Sequence, residues 1–535
     1  MTLAIDPARI PDAARVAPVV QRRWLAGGEL RTWDGALEEV RAVVLHPGAG
    51  GAPAAPAALG GYPLLGEAEA LHALDCACRA WDQGRGPWPA APVGERLAAL
   101  TAFADAMGGV RETVVRLIMW EIGKTRGDAE KEFDRTVVYI RDTVAALKDL
   151  DRAAARFQAV EGVVAQVRRA PLGVALCMGP FNYPLNETFT TLIPALAMGN
   201  PVVFKPAKLG VLLLEPLLEL FARCFPPGVV NTIYGDGRVV VSPLIRSGKV
   251  DVLAFIGSSK VADLIRAQHP KPHRLRCVLG LEAKNAAIIT RHADLDQAVK
   301  ECVLGSLSFN GQRCTALKML WVERSVHAAF SERLAAAVDA LRLALPWEAG
   351  AQLTPMAEPG KPAAMQALVD DACARGARVL NRRAGAVDAT AFFPALVDGA
   401  APGMRLWREE QFGPVVPMAA FDDLDQPLAF VRDSDYGQQA AVFSRDPAEV
   451  ARLVDGLASQ VCRININAQC QRGPDVFPFT GRKDSAEGTL SVSDALRVFS
   501  IRSMVAARDN PGSHAILGDI ARERRSAFIS TDWLF

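Results

Sequence analysis

Cys314 stands in the octapeptide Phe309-Asn310-Gly311-Gln312-Arg313-Cys314-Thr315-Ala316, directly after a permanent cation and in a glycine-bearing turn that leads into an apolar run. Such a place can lower a thiol pKa and expose the sulfur. A thiolate beside Arg313 is a soft nucleophile, and a carbonyl carbon is its natural electrophile. Read alone, Cys314 is one of ten cysteines and would pass for a small buried core residue. The ten, at 76, 78, 177, 224, 277, 302, 314, 373, 462 and 470, lack the paired spacings that bind zinc, and in a cytosolic setting all should be reduced. His269 and His273 are four apart, but Pro270 and Pro272 forbid the helix that would align them, so no metal site is expected.

Four further segments accompany the cysteine peptide: Pro180-Phe181-Asn182-Tyr183-Pro184, Phe204-Lys205-Pro206-Ala207, Phe255-Ile256-Gly257-Ser258-Ser259 and Glu409-Glu410-Gln411-Phe412-Gly413-Pro414. In this order and spacing the five resemble the active-site signature of the aldehyde dehydrogenase superfamily, over most of the chain. The resemblance implies that Cys314 attacks an aldehyde and that the Asn182 side-chain amide, with the Cys314 backbone N–H, donates to the tetrahedral oxyanion. Such a donor is worth about 3 kcal/mol in the transition state.

A dinucleotide must take the hydride, yet no Gly-x-Gly-x-x-Gly follows a predicted strand. Gly257 and Ser258 instead sit where an apolar strand gives way to a helix, so their amides and the helix N-terminus can meet a pyrophosphate. By the resemblance, Lys205 contacts the adenosine ribose, Glu410 holds the nicotinamide ribose and Phe412 packs near the nicotinamide. Relatives that prefer NAD often carry a glutamate at position 208, where this chain has Lys208. Two lysines on one short loop suit a phosphate dianion, which points to NADP.

A narrower resemblance concerns the substrate. Arg135, Tyr183, Arg313 and Arg472 match the set with which non-phosphorylating glyceraldehyde-3-phosphate dehydrogenases bind the aldehyde's phosphate. Guanidinium forks fit phosphate oxygens and stay charged at any working pH. The implied reaction is NADP-dependent oxidation of glyceraldehyde 3-phosphate to 3-phosphoglycerate, a step of glycolysis. A semialdehyde carboxylate is an alternative, since arginines also clamp carboxylates.

One departure touches the mechanism. The family's general base is the glutamate of Glu-Leu-Gly-Gly-Lys, but this chain reads Gly280-Leu281-Glu282-Ala283-Lys284-Asn285 and places Gly280 on that position. Glu282 lies two residues late, a displacement of roughly 6.5 Å along an extended segment that keeps it on the same face. If Glu282 reaches the thioester, water releases an acid. If it does not, the acyl group awaits another acceptor such as coenzyme A, or the fold is a catalytically silent relative.

The elements that position these groups follow from pattern and length. A chain of 535 residues, half of them hydrophobic, should divide into two or three domains. Its formal charge of +1, without long runs of either sign, asks for neither nucleic acid nor an anionic membrane. Met1 to Val16 holds no signal-peptide core and no stretch of eighteen uncharged apolar residues follows, so a soluble cytoplasmic protein is expected. Residues 1–65 are rich in Ala, Gly and Pro and read as an extension with a loop at 48–56. Helical patterning runs from about 71 to 150, with Phe133, Val137, Ile140 and Val144 as its buried stripe.

From 163 to 290, and again from 285 to 490, short apolar runs alternate with helical stretches. That alternation predicts two α/β domains with doubly wound parallel sheets and a cleft between them. The resemblance adds a small oligomerisation hairpin, hence a homodimer or homotetramer. It sets the boundaries at 66–148 with 171–282 for the cofactor-binding domain, 283–492 for the catalytic domain, 149–170 with 493–510 for the hairpin and 511–535 for a C-terminal tail. The tail's apolar end, Thr531-Asp532-Trp533-Leu534-Phe535, is expected to dock on a neighbour.

Overall fold

The computed structural model describes residues 3–48, 50 and 52–531, so most of the apolar end of the tail lies outside the described residues. Short apolar runs form the strands of two largely parallel sheets. The first has the spatial order Val230–Thr232, Val202–Lys205, Ala175–Met178, Val252–Ile256, Arg276–Gly280, Ala486–Glu487. All its pairings are parallel except the last, in which Leu279 and Gly280 face Glu487 and Ala486. Ala175–Met178 buries all of its side chains, as a central strand under helices must, and so reads as an unbroken hydrophobic run. The helices Glu67–Trp81 and Asn186–Ala197 lie against this sheet.

The second sheet has the order Arg378–Val379, Ala395–Asp398, Val415–Phe421, Leu317–Glu323, Asn285–Ile289, Gln439–Phe443, Arg463–Ile466, parallel apart from its first strand. In a third, Ser500–Arg508 runs antiparallel to Val163–Pro171 along its whole length, and Gln158–Val160 completes the sheet.

Four local expectations need correction. The N-terminal stretch is more than a loop: Leu37–His46 pairs antiparallel with Ala55–Pro63, and Val19–Val20 joins them in a small sheet. Its alanines and glycines hide the alternation, yet Ala57, Leu59 and Tyr62 are buried. In the long helix Arg126–Ala154, Phe133 and Ile140 are buried but Val137 and Val144 only half so. Thr136 and Thr143 take the inner face because their hydroxyls donate to Glu132 O and Tyr139 O at 2.7 Å, which removes the penalty of burying them. The helix also runs past the expected hairpin boundary at 149, and residues Val492–Val498 are helical, so the returning hairpin strand begins only at Ser500. Finally, Ala486–Glu487 leaves the stretch expected to be wholly catalytic and adds an edge to the first sheet.

Candidate active site

The turn that carries Cys314 is held in an unfavourable backbone shape. Phe309, Asn310 and Gly311 are successive left-handed residues, with φ of 50°, 53° and 71°. For the two non-glycines this costs about 1–3 kcal/mol each. The Asn310 side chain clamps the turn by donating to Thr354 O (3.0 Å) and accepting from Thr354 N–H (3.2 Å). A Cβ at Gly311 would fall 2.7 Å from Ser306 O and 2.8 Å from Gly413 O, so no larger residue fits. The Cys314 carbonyl accepts from Asn285 Nδ2 at 2.8 Å and Lys318 Nζ at 3.2 Å. The thiol is thereby fixed on the wall of a cavity of about 670 Å³ that is also lined by Asn182, Glu187, Glu282, Glu410 and Phe412.

Asn182 Nδ2 donates to Gln312 O at 2.8 Å, which fixes the amide plane and spends one of its two N–H bonds. The segment reaches this spot because the wholly buried helix Asn186–Ala197 presses against Gly179, where a Cβ would lie 1.8 Å from Thr188 Oγ1.

Arg313 does not act as the flanking cation the sequence suggests. Its guanidinium donates to Gly305 O (2.7 Å) and Leu304 O (3.1 Å). The Cys314 thiol is pushed up, first by burial and then by the charge of Glu187, against the opposing pull of Lys318 and Arg472.

On the cofactor side the groups are present but already engaged. Lys205 Nζ donates to Pro206 O (3.2 Å), and burial pushes its pKa down to about 8. Lys208 Nζ lies 2.6 Å from Glu38 Oε1, which the N-terminal sheet supplies. Glu410 accepts from Ala283 N–H at 3.1 Å and pairs closely with Lys318. The Phe412 ring meets Phe181 edge-on, centroids 6.0 Å apart. The Gly257 amide, expected to face a pyrophosphate, donates to Gly280 O (3.0 Å) because the two strands pair to their ends. Ser258 caps the helix Ser259–Arg266, and Glu282 Oε2 accepts from Ser259 N–H at 2.8 Å. The position read as an anion site for the cofactor therefore holds Glu282, and the carboxylate read as the base is hydrogen-bonded there.

The four residues matched to phosphate binding converge from distant parts of the chain. Arg135 makes a two-pronged pair with Asp475 (2.8 and 2.7 Å), and Arg472 Nε donates to the same carboxylate at 3.1 Å. Tyr183 feels the charges of both Arg313 and Arg135. Arg472 is buried, pairs closely with Glu187 and donates to Leu490 O at 3.0 Å. Two carboxylates, Asp475 and Glu187, thus engage Arg135 and Arg472, while Arg313 is turned to the backbone of Leu304 and Gly305.

The residues that the sequence reading missed are mostly these partners. Glu187 lines the catalytic cavity and Lys318 holds both Glu410 and the Cys314 carbonyl. Lys124 lies over the Tyr183 ring at 3.3 Å. Of these only Lys318 carried a signal, a charge within the largely apolar strand Leu317–Glu323.

The sequence model of the aldehyde dehydrogenase family matches residues 51–505. The NADP-dependent glyceraldehyde-3-phosphate dehydrogenase of Streptococcus equinus is 32% identical over 465 residues, 85% of this chain and 94% of its own. Among solved structures, the NADP-dependent glyceraldehyde-3-phosphate dehydrogenase from Bacillus halodurans C-125 complexed with NADP has a TM-score of 0.83 at 30% identity, covering 92% of this chain and 100% of its own. Lactaldehyde dehydrogenase from Escherichia coli has the same TM-score at 25% identity, again over 92% and 100%. This α/β chain, with its cysteine and asparagine on one cavity between two parallel sheets, belongs to the aldehyde dehydrogenase family.

Proposed function

We propose that this chain oxidises glyceraldehyde 3-phosphate to 3-phosphoglycerate with NADP and without phosphorylation. The observation that supports this most is the linked set in which Arg135 and Arg472 share Asp475, the charge of Arg472 reaches Cys314, and Tyr183, packed on Phe309 of the cysteine turn, feels the charges of Arg313 and Arg135. The first sheet is then the cofactor side and the second the catalytic side. Cys314 Sγ gives its proton to solvent water in the cavity and bonds to the aldehyde carbon, while the spare Asn182 N–H and the Cys314 amide donate to the oxygen that becomes anionic. Lys205 and Lys208 would hold the adenosine ribose and its phosphate, Ser258 the diphosphate, and Glu410 and Phe412 the nicotinamide end. When bound, the dinucleotide supplies the acceptor for the hydride that the thiohemiacetal carbon gives up.

Release of the acyl group from Cys314 needs water and a base. Glu282 fills that role once it leaves Ser259 N–H, taking the water's proton as oxygen bonds to the acyl carbon and the C–S bond breaks. A second reading, acyl transfer to coenzyme A, is favoured by the hydrogen bond that keeps Glu282 on Ser259 and by Gly280 at the base position. The hairpin exposes Ile501, Met504 and Val160, which suits joining subunits into a homodimer or homotetramer. The ten free cysteines suit a reducing cytoplasm.

The test is NADPH formation from glyceraldehyde 3-phosphate and NADP without inorganic phosphate or coenzyme A, with lactaldehyde and an aminoaldehyde in parallel. Steady turnover on the phosphorylated aldehyde alone supports the reading. A single burst shifts it to the acyl-transfer form, and preference for lactaldehyde overturns the substrate. Cys314→Ser should abolish oxidation and leave NADP binding intact.

A further inference from the structure

A second cavity, of about 690 Å³, shares no lining residue with the catalytic one. It lies where the start of helix Val93–Met107, the end of helix Arg126–Ala154, the strand Val163–Pro171 and the tail at Phe528 meet. Arg96, Arg168, Arg169, Arg497 and Arg502 line it, and among the described residues Asp151 is its one lining carboxylate.

The charges do not balance. Asp151 pairs closely with Arg168, and Asp494 takes Arg497 at 2.7 Å. Arg96, Arg169 and Arg502 have no carboxylate partner among the described residues. Arg96 is 5% exposed; one nitrogen donates to Ala91 O at 3.2 Å, and its buried Nε has no acceptor. Arg169 donates only to Arg497 O, Ser500 O and Ser500 Oγ, and is pulled down by burial and then by the charges of Arg497 and Arg502. A guanidinium cannot shed its proton at working pH, so titration gives no relief. Arg96 is a buried cation without an ion-pair partner among the described residues, which is costly, while Arg169 is half-buried and Arg502 exposed at the mouth; a phosphate group offers matched acceptors for all three forks.

We propose that this cavity binds a compact polyanion bearing phosphate groups, one per chain, at a site separate from catalysis. Arg168 and Gln166 also donate to Ser530 O, so the ligand would join the hairpin, the two helices and the tail in one assembly.

The test titrates inorganic pyrophosphate into the full chain by calorimetry and compares Arg96→Met, Arg502→Glu and, for the catalytic cleft, Lys205→Met. Saturable binding of one pyrophosphate per chain is expected, weakened at least about tenfold by either arginine substitution and unchanged by Lys205→Met. Arg96→Met, which removes a buried charge and keeps the bulk, should not lower the melting temperature of the ligand-free protein. Absence of saturable binding overturns the proposal, and so does binding that survives both arginine changes or disappears with Lys205→Met. If Arg502→Glu breaks the oligomer and the wild type takes up no pyrophosphate, a second copy's acidic side chains occupy the cavity and the proposal is wrong.

Discussion

Glu282 and Gly280 lie two residues apart and face different tasks. Glu282 accepts from Ser259 N–H at the start of a helix, where a carboxylate is stabilised and where a diphosphate would compete with it. Glu282→Gln should therefore tighten NADP binding about fivefold by titration while converting steady turnover to a burst. A Cβ at Gly280 would meet Ile256 Cγ1 and Leu490 Cδ1 at 3.4 Å, an ordinary contact, so Gly280→Glu in that background should restore turnover. No recovery would mean that the base comes from elsewhere. Lys205 gives the pH dependence. Burial lowers its pKa to about 8, so it is cationic below that value and neutral above it. Affinity for NADP should fall as pH rises through about 8, and Lys205→Met should flatten the profile. At this scale the sequence is most legible where touching residues are contiguous, as in the cysteine peptide. Glu187 was not legible, because its partner Arg472 is 285 positions away and nothing local marks the pair.

Among the elements, the parallel strands are the easiest to read, since burial on both faces turns each into an apolar run bounded by turns. The N-terminal sheet was hidden because alanine, glycine and proline carry little strand signal, although pairing with Leu37–His46 holds it. That sheet matters for cofactor choice. Its Glu38 shares the charge of Lys208, so the lysine is less available to a 2′-phosphate than position 208 alone suggests. Because Lys208 is largely exposed, the effect is modest: Glu38→Gln should lower the KM for NADP about two- to fivefold and leave that for NAD nearly unchanged. Equal effects on both cofactors would remove Glu38 from the choice.

For the whole molecule, the long-range pairing of Val163–Pro171 with Ser500–Arg508 ties the middle of the chain to its end and leaves Met504 64% exposed. If the hairpin joins subunits as proposed, Met504→Glu should lower the sedimentation coefficient to that of a single chain and leave the far-UV spectrum unchanged. An unaltered sedimentation coefficient would put the subunit contact elsewhere. The two-sheet division follows from alternation, but the crossing of Ala486–Glu487 does not, since two residues in a loop-rich stretch give no pattern.

That crossing makes the stretch after Arg472 a strap. It begins at residues buried beside Glu187, passes Phe477, which is 58% exposed, and ends hydrogen-bonded to the far sheet beside Gly280. Chymotrypsin has one prominent ring to find there. A single nick at Phe477 would separate the arginine cluster from the strand edge that supports the Gly280 segment, so catalysis should be lost while the two fragments remain associated. Susceptibility to that nick would then be a gauge of how firmly the strap is seated on the two sheets.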